Sequence, residues 1–303
     1  MQDIKMLNYI KDVLETMPKA WFNLTTHRLD IYDEKLAKTQ FLEQFELLFK
    51  ANNSAALALS KLPTAYDYIR LGHPLSSILE WVIAGFNNLD SKNVISFSSK
   101  TVPVLAILRK NLLDNKNTQI LYADELPECF DAEVLRSVYG YKFELKKVEK
   151  VEDAPEFNGS NIFVSHQDEI NSLDLTPNID FFIGLHSHLG SILLVNGVKN
   201  ESYVSEIQHV RRRETIAMTP ANSLDALKLL ISKSSVYTIK SNAEANKTLV
   251  LGSIKAITGS NTKALVGSSG LSIQYAIIMG LIDVALEEHK GKAIKIIVPT
   301  NCY

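Results

Sequence analysis

Lys263-Ala-Leu-Val-Gly-Ser-Ser-Gly-Leu271 runs directly into Ser272-Ile-Gln-Tyr-Ala-Ile-Ile-Met-Gly-Leu-Ile-Asp-Val-Ala-Leu286. A short apolar run, a Gly-Ser-Ser-Gly turn and a long apolar stretch predict a strand, a tight corner and a buried helix. A second apolar run, Ala293-Ile-Lys-Ile-Ile-Val298, follows Lys290-Gly-Lys292 and completes a βαβ unit, the building block of a parallel sheet. Glycines at the corner let the backbone turn with free N–H groups, and the helix dipole makes that corner attractive to a phosphate. The same residues also read as an ordinary helix start, with Ser269 as the N-cap. The loop alone leaves both readings open.

Working outward, the alternation recurs. Asn93-Val-Ile-Ser-Phe-Ser-Ser-Lys100 leads into the apolar stretch Thr101–Leu113, and Gln119–Ala123 is a strand again. With Ser98-Ser99 set over Ser268-Ser269, Ala106-Ile107 falls on Ala276-Ile277, so the two segments read as copies of one unit. Lys100 stands where the other copy has Gly270, which marks the first copy as eroded. Tyr141–Val148 reads as a strand, and Asn161–Ser165, Ile179–Ile183 and Ser191–Val195 are three further short apolar runs suited to a buried sheet.

Composition narrows the classes. Hydrophobic residues at 46% with 22% charged residues describe a globular protein with a sizeable core. A formal net charge of −2 offers no electrostatic case for nucleic acid or a membrane surface. Two cysteines, Cys129 and Cys302, make no disulfide scaffold, which favours a reducing, cytoplasmic setting. The opening residues carry an early acid and no apolar h-region, so no signal peptide is expected. Leu271–Leu286, interrupted by Gln274 and Asp283, is too short to span a bilayer and is expected to be core. Residues 1–61 read as helices, with Ile4, Leu7, Ile10 and Leu14, then Leu36, Phe41, Phe45 and Leu48, at helical spacing. They form either an arm or lid on a neighbouring subunit, or a helical pair packed on its own domain.

A family resemblance adds to this reading. Ser268-Ser-Gly-Leu271 resembles the Ser-Ser-Gly-Met loop of the Cys/Met-metabolism family of pyridoxal-phosphate (PLP) enzymes, the cystathionine γ-synthase and γ-lyase group. The resemblance implies that Ser268, Ser269, Gly270 and Leu271 hold the cofactor phosphate. It also implies that Tyr303, placed like the tyrosine of the family's Tyr-Gly-Gly-Thr, covers the ring. Tyr66-Asp-Tyr-Ile-Arg-Leu-Gly-His-Pro-Leu75 is similar to the family's Tyr-Ser-Arg-x-Gly-Asn-Pro-Thr at Tyr68, Arg70, Gly72 and Pro74, with His73 in place of Asn. By that match Tyr68 and Arg70 reach a neighbouring subunit's phosphate. A guanidinium forks onto phosphate and a phenol adds one bond, so the chemistry suits them. A solvated Arg before a helix opened by Pro74 is the plainer alternative.

The implied fold is α/β, a mixed, mainly parallel sheet covered by helices. It is the PLP-transferase-like fold type I, with an N-terminal helical segment. The expected divisions are a helical segment at 1–63, a degenerate PLP-transferase-like unit at 64–259 and the opening βαβ of a second unit at 260–303. The implied activity is transsulfuration-type elimination or γ-replacement on a small amino acid, with a homo-oligomer as the working form. The alternative is a non-catalytic dimerisation or regulatory scaffold. Within Asn161–Val195 no Ser-x-x-Lys or Ser-x-Thr-Lys supplies the Schiff-base lysine, and Leu185-His-Ser-His-Leu-Gly190 carries none. No catalytic residue is therefore assigned, and the chain is expected to be inactive alone, with that lysine beyond its end. His166, His186 and His188 lack the spacing of a zinc site. Arg211-Arg-Arg213, flanked by Glu206 and Glu214, reads as a solvated helix face. No Gly-x-Gly-x-x-Gly follows a strand, which disfavours a Rossmann-type nucleotide binder.

Overall fold

The computed structural model describes residues 2–23, 34–63, 70–127, 129–167, 170, 175–232, 243–259 and 263–300. Two helices open the chain, α1 (Gln2–Thr16) and α2 (Glu34–Lys50), followed by the short α3 (Ala56–Ser60) and the apolar α4 (Pro74–Phe86). Alternation then sets in: β1 (Val94–Phe97), α5 (Val102–Leu113), β2 (Thr118–Tyr122), α6 (Ala132–Ser137), β3 (Glu144–Lys147), β4 (Ser160–His166), β5 (Phe181–His186) and β6 (Gly190–Val195). Four helices close it: α7 (Ser202–Glu214), α8 (Pro220–Ser232), α9 (Ala243–Thr258) and α10 (Gly270–Glu288).

The six strands form one mixed sheet in the order β1-β6-β5-β4-β2-β3. Pairings β2–β3, β2–β4 and β4–β5 are parallel, and β5–β6 and β6–β1 are antiparallel. The inner strands are apolar on both faces because both are covered. Ile162, Phe181 and Leu193 face α5 and α7, whereas Phe163, Phe182 and Leu194 face α1, α4 and α8. The tight β5–β6 connection is possible because Gly190, at φ +123°, lies against β1, where a Cβ would sit 2.1 Å from the Phe97 carbonyl oxygen.

The N-terminal helices pack on their own chain. The buried stripe of α1 is Met6, Tyr9, Ile10 and Val13, while Ile4 is exposed. Tyr9, Phe45, Phe49 and Trp81 stack edge-on with centroids 5.3–5.6 Å apart, joining α1 and α2 to α4. A buried ion cluster pins the same junction. Lys38 Nζ lies 2.5 Å from Glu80 Oε2, and Glu80 Oε1 accepts from Arg211 Nη1 at 3.0 Å and from the Ser96 amide and hydroxyl, each at 2.8 Å. Burial alone would raise the Glu80 carboxyl, but Lys38 and Arg211 hold it below the ordinary carboxylate range. Lys38 is pushed below its usual value by burial, against the pull of Glu80.

Two expectations are corrected here. The runs 263–266 and 293–298 are not strands, because among the described residues no strand lies beside either of them to take their backbone groups. The helix between them does form, but α10 is not core: Ile277, Leu281, Val284 and Leu286 are exposed, as is Ile297 at 96% beyond it. Nothing among the described residues covers its outer faces. By length and composition alone α10 could cross a bilayer.

Candidate functional site

Ser269 is the N-cap of α10. Its Oγ accepts the Ser272 amide at 3.0 Å and Ser272 Oγ accepts the Ser269 amide at 3.1 Å, a reciprocal capping box. Both serine hydroxyls also donate to the end of α7, Ser269 Oγ to the Arg213 carbonyl at 2.5 Å and Ser268 Oγ to the Glu214 carbonyl. Among the described residues the Gly270 and Leu271 amides find no such partner, and the space where a Gly270 Cβ would stand is open. The helix-cap reading thus accounts for the hydroxyls, and the two glycine-side amides remain available.

The same short segment of chain, 211–218, gathers the other motif stretches. Arg211 Nη2 donates to the Leu71 carbonyl at 2.8 Å and Nη1 to the Ser96 carbonyl at 3.0 Å. His73 caps α4 through Nδ1, which accepts the Ser76 amide at 3.1 Å, and its Nε2 lies 2.7 Å from the Met218 carbonyl. Arg70, half-buried, directly precedes this bolted corner. Tyr68 and Tyr303 lie outside the described residues.

The repeat seen in the sequence has a counterpart in the hydrogen bonds. Ser98 Oγ donates to the Ala217 carbonyl at 2.8 Å, as Ser268 does to Glu214. Ser99 Oγ accepts the amides of Thr101 and Val102 at 3.2 and 3.1 Å just ahead of α5, whose N-cap, Thr101, makes no side-chain cap bond of its own. In each pair the first serine ties the corner to the stretch 214–217, at and just beyond the end of α7, and the second accepts amides at or just before a helix start. Lys100 turns away from its own corner and donates to the Ser187 carbonyl at 2.9 Å, in the β5–β6 turn.

A cavity of about 290 Å³ opens beside the second corner, lined by Ser268, Glu214, Cys129 and three tyrosines, Tyr139, Tyr141 and Tyr275. Arg109 forks onto Glu214, with Nη2 to Oε2 at 3.1 Å, and its guanidinium lies 4.5 Å from the centre of the Tyr275 ring. The Tyr141 and Tyr275 hydroxyls are 3.3 Å apart. Burial, and then the bond to Tyr275, push the Tyr141 phenol above its ordinary value, so it stays protonated. Among the described residues no lysine lines this cavity.

Arg211 corrects the reading of 211–213 as a solvated face, since it is only 2% exposed. It falls on the stripe of Tyr203, Ile207, Val210 and Glu214 that α7 turns inward. That spacing was the available signal, as was Glu80, the one charge inside the apolar helix 74–86. His186 is buried while His166 and His188 are exposed.

No family model and no curated protein matches the sequence. Among solved structures, the chain is similar to cystathionine gamma-lyase from Lactobacillus plantarum complexed with L-serine. That likeness has 12% identity and a TM-score of 0.36, over 62% of this chain and 59% of that one. Cystathionine gamma synthase from Xanthomonas oryzae pv. oryzae, in complex with aminoacrylate and cysteine, is similar at 11% identity and TM-score 0.37, over 67% and 64%. The structure of metB from Corynebacterium glutamicum is similar at 13% identity and TM-score 0.38, over 73% and 64%. The chain spans about three-fifths of the length of each.

Proposed function

We propose that the chain is a phosphate-holding part of a PLP-dependent enzyme of sulfur amino-acid metabolism, working by transsulfuration-type elimination or γ-replacement, and that it is inactive alone. The observation that carries this reading is the Ser268–Leu271 corner. Two amides without a partner among the described residues and an open Gly270 stand at a helix start, near a cavity whose lining includes Ser268, Tyr139, Tyr141 and Tyr275. These groups fit the phosphate and ring of the cofactor. They do not fit its aldehyde, since no lysine among the described residues lines the cavity, so no reaction step is assigned to this chain. With the reading come a small amino-acid substrate, a homo-oligomer and a cytoplasmic setting, all supported by the resemblance at Tyr68–Pro74 and Ser268–Leu271.

The test is binding of pyridoxine 5′-phosphate, which has the ring and phosphate but no aldehyde. Weak binding that disappears in Gly270→Asp is expected: an acid in the first turn suits α10 but repels an anion. Binding unchanged by that substitution would remove the corner from the site. A yellow adduct with PLP itself, fixed by borohydride to one lysine, would overturn the inactivity.

A second reading, the non-catalytic scaffold, is favoured by the commitment of both serine hydroxyls to Arg213 and Glu214. It is supported instead if no variant or wild-type chain binds the ligand.

A further inference from the structure

The serine hydroxyls of the corner are engaged by the end of a helix. The last carbonyls of α7 carry the negative pole of its dipole, and they face the positive pole at the start of α10. Arg213 and Glu214 thus offer the corner, from within the chain, the kind of partner that an anion would be: oxygen acceptors bearing partial negative charge.

What keeps them there is local. The hydrogen bonds and ring contacts that α10 makes to the rest of the described residues run from Ser268 to Tyr275. They are the two hydroxyl bonds, the Arg109 guanidinium over Tyr275, the Tyr141–Tyr275 hydroxyl pair and the edge of Tyr139 at 5.4 Å. Past Tyr275 the apolar side chains Ile277, Leu281 and Val284 are exposed, and Ile278, Met279 and Ile282 are only half-buried. Arg109 serves both ends of the contact, because the same guanidinium fixes Glu214.

We infer that the end of α7 is an internal stopper for the Ser268–Leu271 corner, kept closed by the Arg109–Tyr275–Tyr141 cluster. A phosphate monoester gains the two hydroxyls only when the first turns of α10 leave α7. This inference rests on the reading of the corner as a phosphate site. Free and stoppered forms are then in equilibrium, and apparent affinity falls by the fraction that is open.

The experiment uses the full chain and two substitutions on the outer helix, Tyr275→Ala and the milder Tyr275→Phe. Hydrogen exchange of amides 268–275 reads the stopper, and titration with pyridoxine 5′-phosphate and with inorganic phosphate reads the corner. In Tyr275→Ala, exchange is expected to quicken and inorganic phosphate, which has no ring to lose from the cavity wall, to bind roughly 3- to 10-fold tighter, from loss of a partly exposed cation–π contact and a population shift. Tyr275→Phe should fall between it and the wild type. Equal affinity in wild type and Tyr275→Ala, or unchanged exchange, overturns the stopper while leaving the corner intact. Tighter binding that survives added Gly270→Asp overturns the corner itself, and the stopper with it. Absence of binding in all chains, with exchange quickened, also overturns both.

Discussion

His73 Nε2 lies 2.7 Å from the carbonyl oxygen of Met218, 145 positions along the chain, while Nδ1 accepts the amide of Ser76. Those partners assign the proton to Nε2 and leave the ring neutral. Burial drives its pKa down from 6.5 to about 4 against the raising effect of the Met218 bond. The ring is thus a joint between the corner at 70–73 and the hub after α7.

The first prediction is a pH dependence. The folded pKa is depressed, so the contribution of His73 is whole above the unfolded value near 6.5 and is lost as pH falls toward 4. Urea unfolding should show stability falling by about 3 kcal/mol over that window from this group. His73→Asn retains a good N-cap, costs about 1 kcal/mol at neutral pH for the Met218 bond, and should flatten the slope. An unchanged slope in the variant would show that His73 is not its source.

The second concerns Glu80. Replacing it by Gln leaves Lys38 and Arg211 buried without their counter-charge, and a cost of about 3–5 kcal/mol is expected at pH 7. Adding Lys38→Met should restore part of it, because the uncompensated charge falls. Chemical denaturation of the single and double variants gives the coupling; additive losses would contradict the cluster.

The third contrasts two glycines with positive φ. At Gly190 a Cβ would meet the Phe97 carbonyl oxygen at 2.1 Å, whereas at Gly140, φ +70°, it would meet nothing within 4 Å. Gly190→Ala should therefore cost about 3 kcal/mol or more and Gly140→Ala about 1 kcal/mol, the backbone strain alone. Similar losses at both would mean that β1 and the β5–β6 turn are not held at this spacing.

Most of the sheet was legible because its inner strands are short apolar runs between turn residues, which is what burial on both faces demands. Val94–Phe97 and Asn161–Ser165 needed no more than that. The edge strand β3, Glu144–Lys147, is polar and largely exposed. The serine pairs were legible as helix starts for a similarly local reason, since an N-cap bonds an amide two or three residues ahead. The other half of their chemistry was not. Which carbonyl a hydroxyl donates to depends on what the chain brings opposite it, and Arg213 lies 56 residues from Ser269. Arg211 was misread because its charge was weighed and its position on the stripe of α7 was not. The ion cluster escaped notice since Lys38, Glu80 and Arg211 come from three distant helices.

The amino-acid order alone determined the helices and strands, the repeat of a Ser-Ser corner before a helix and the likeness of two stretches to a PLP-enzyme family. These follow from periodicity and short-range bonding, which neighbours in the chain settle among themselves. Only the tertiary structure decided that α10 is a surface helix, that 263–266 and 293–298 stay unpaired, and that the end of α7 takes the serine hydroxyls. Burial, strand pairing and the choice of acceptor each require a second surface, and whether one is supplied is a property of the folded chain.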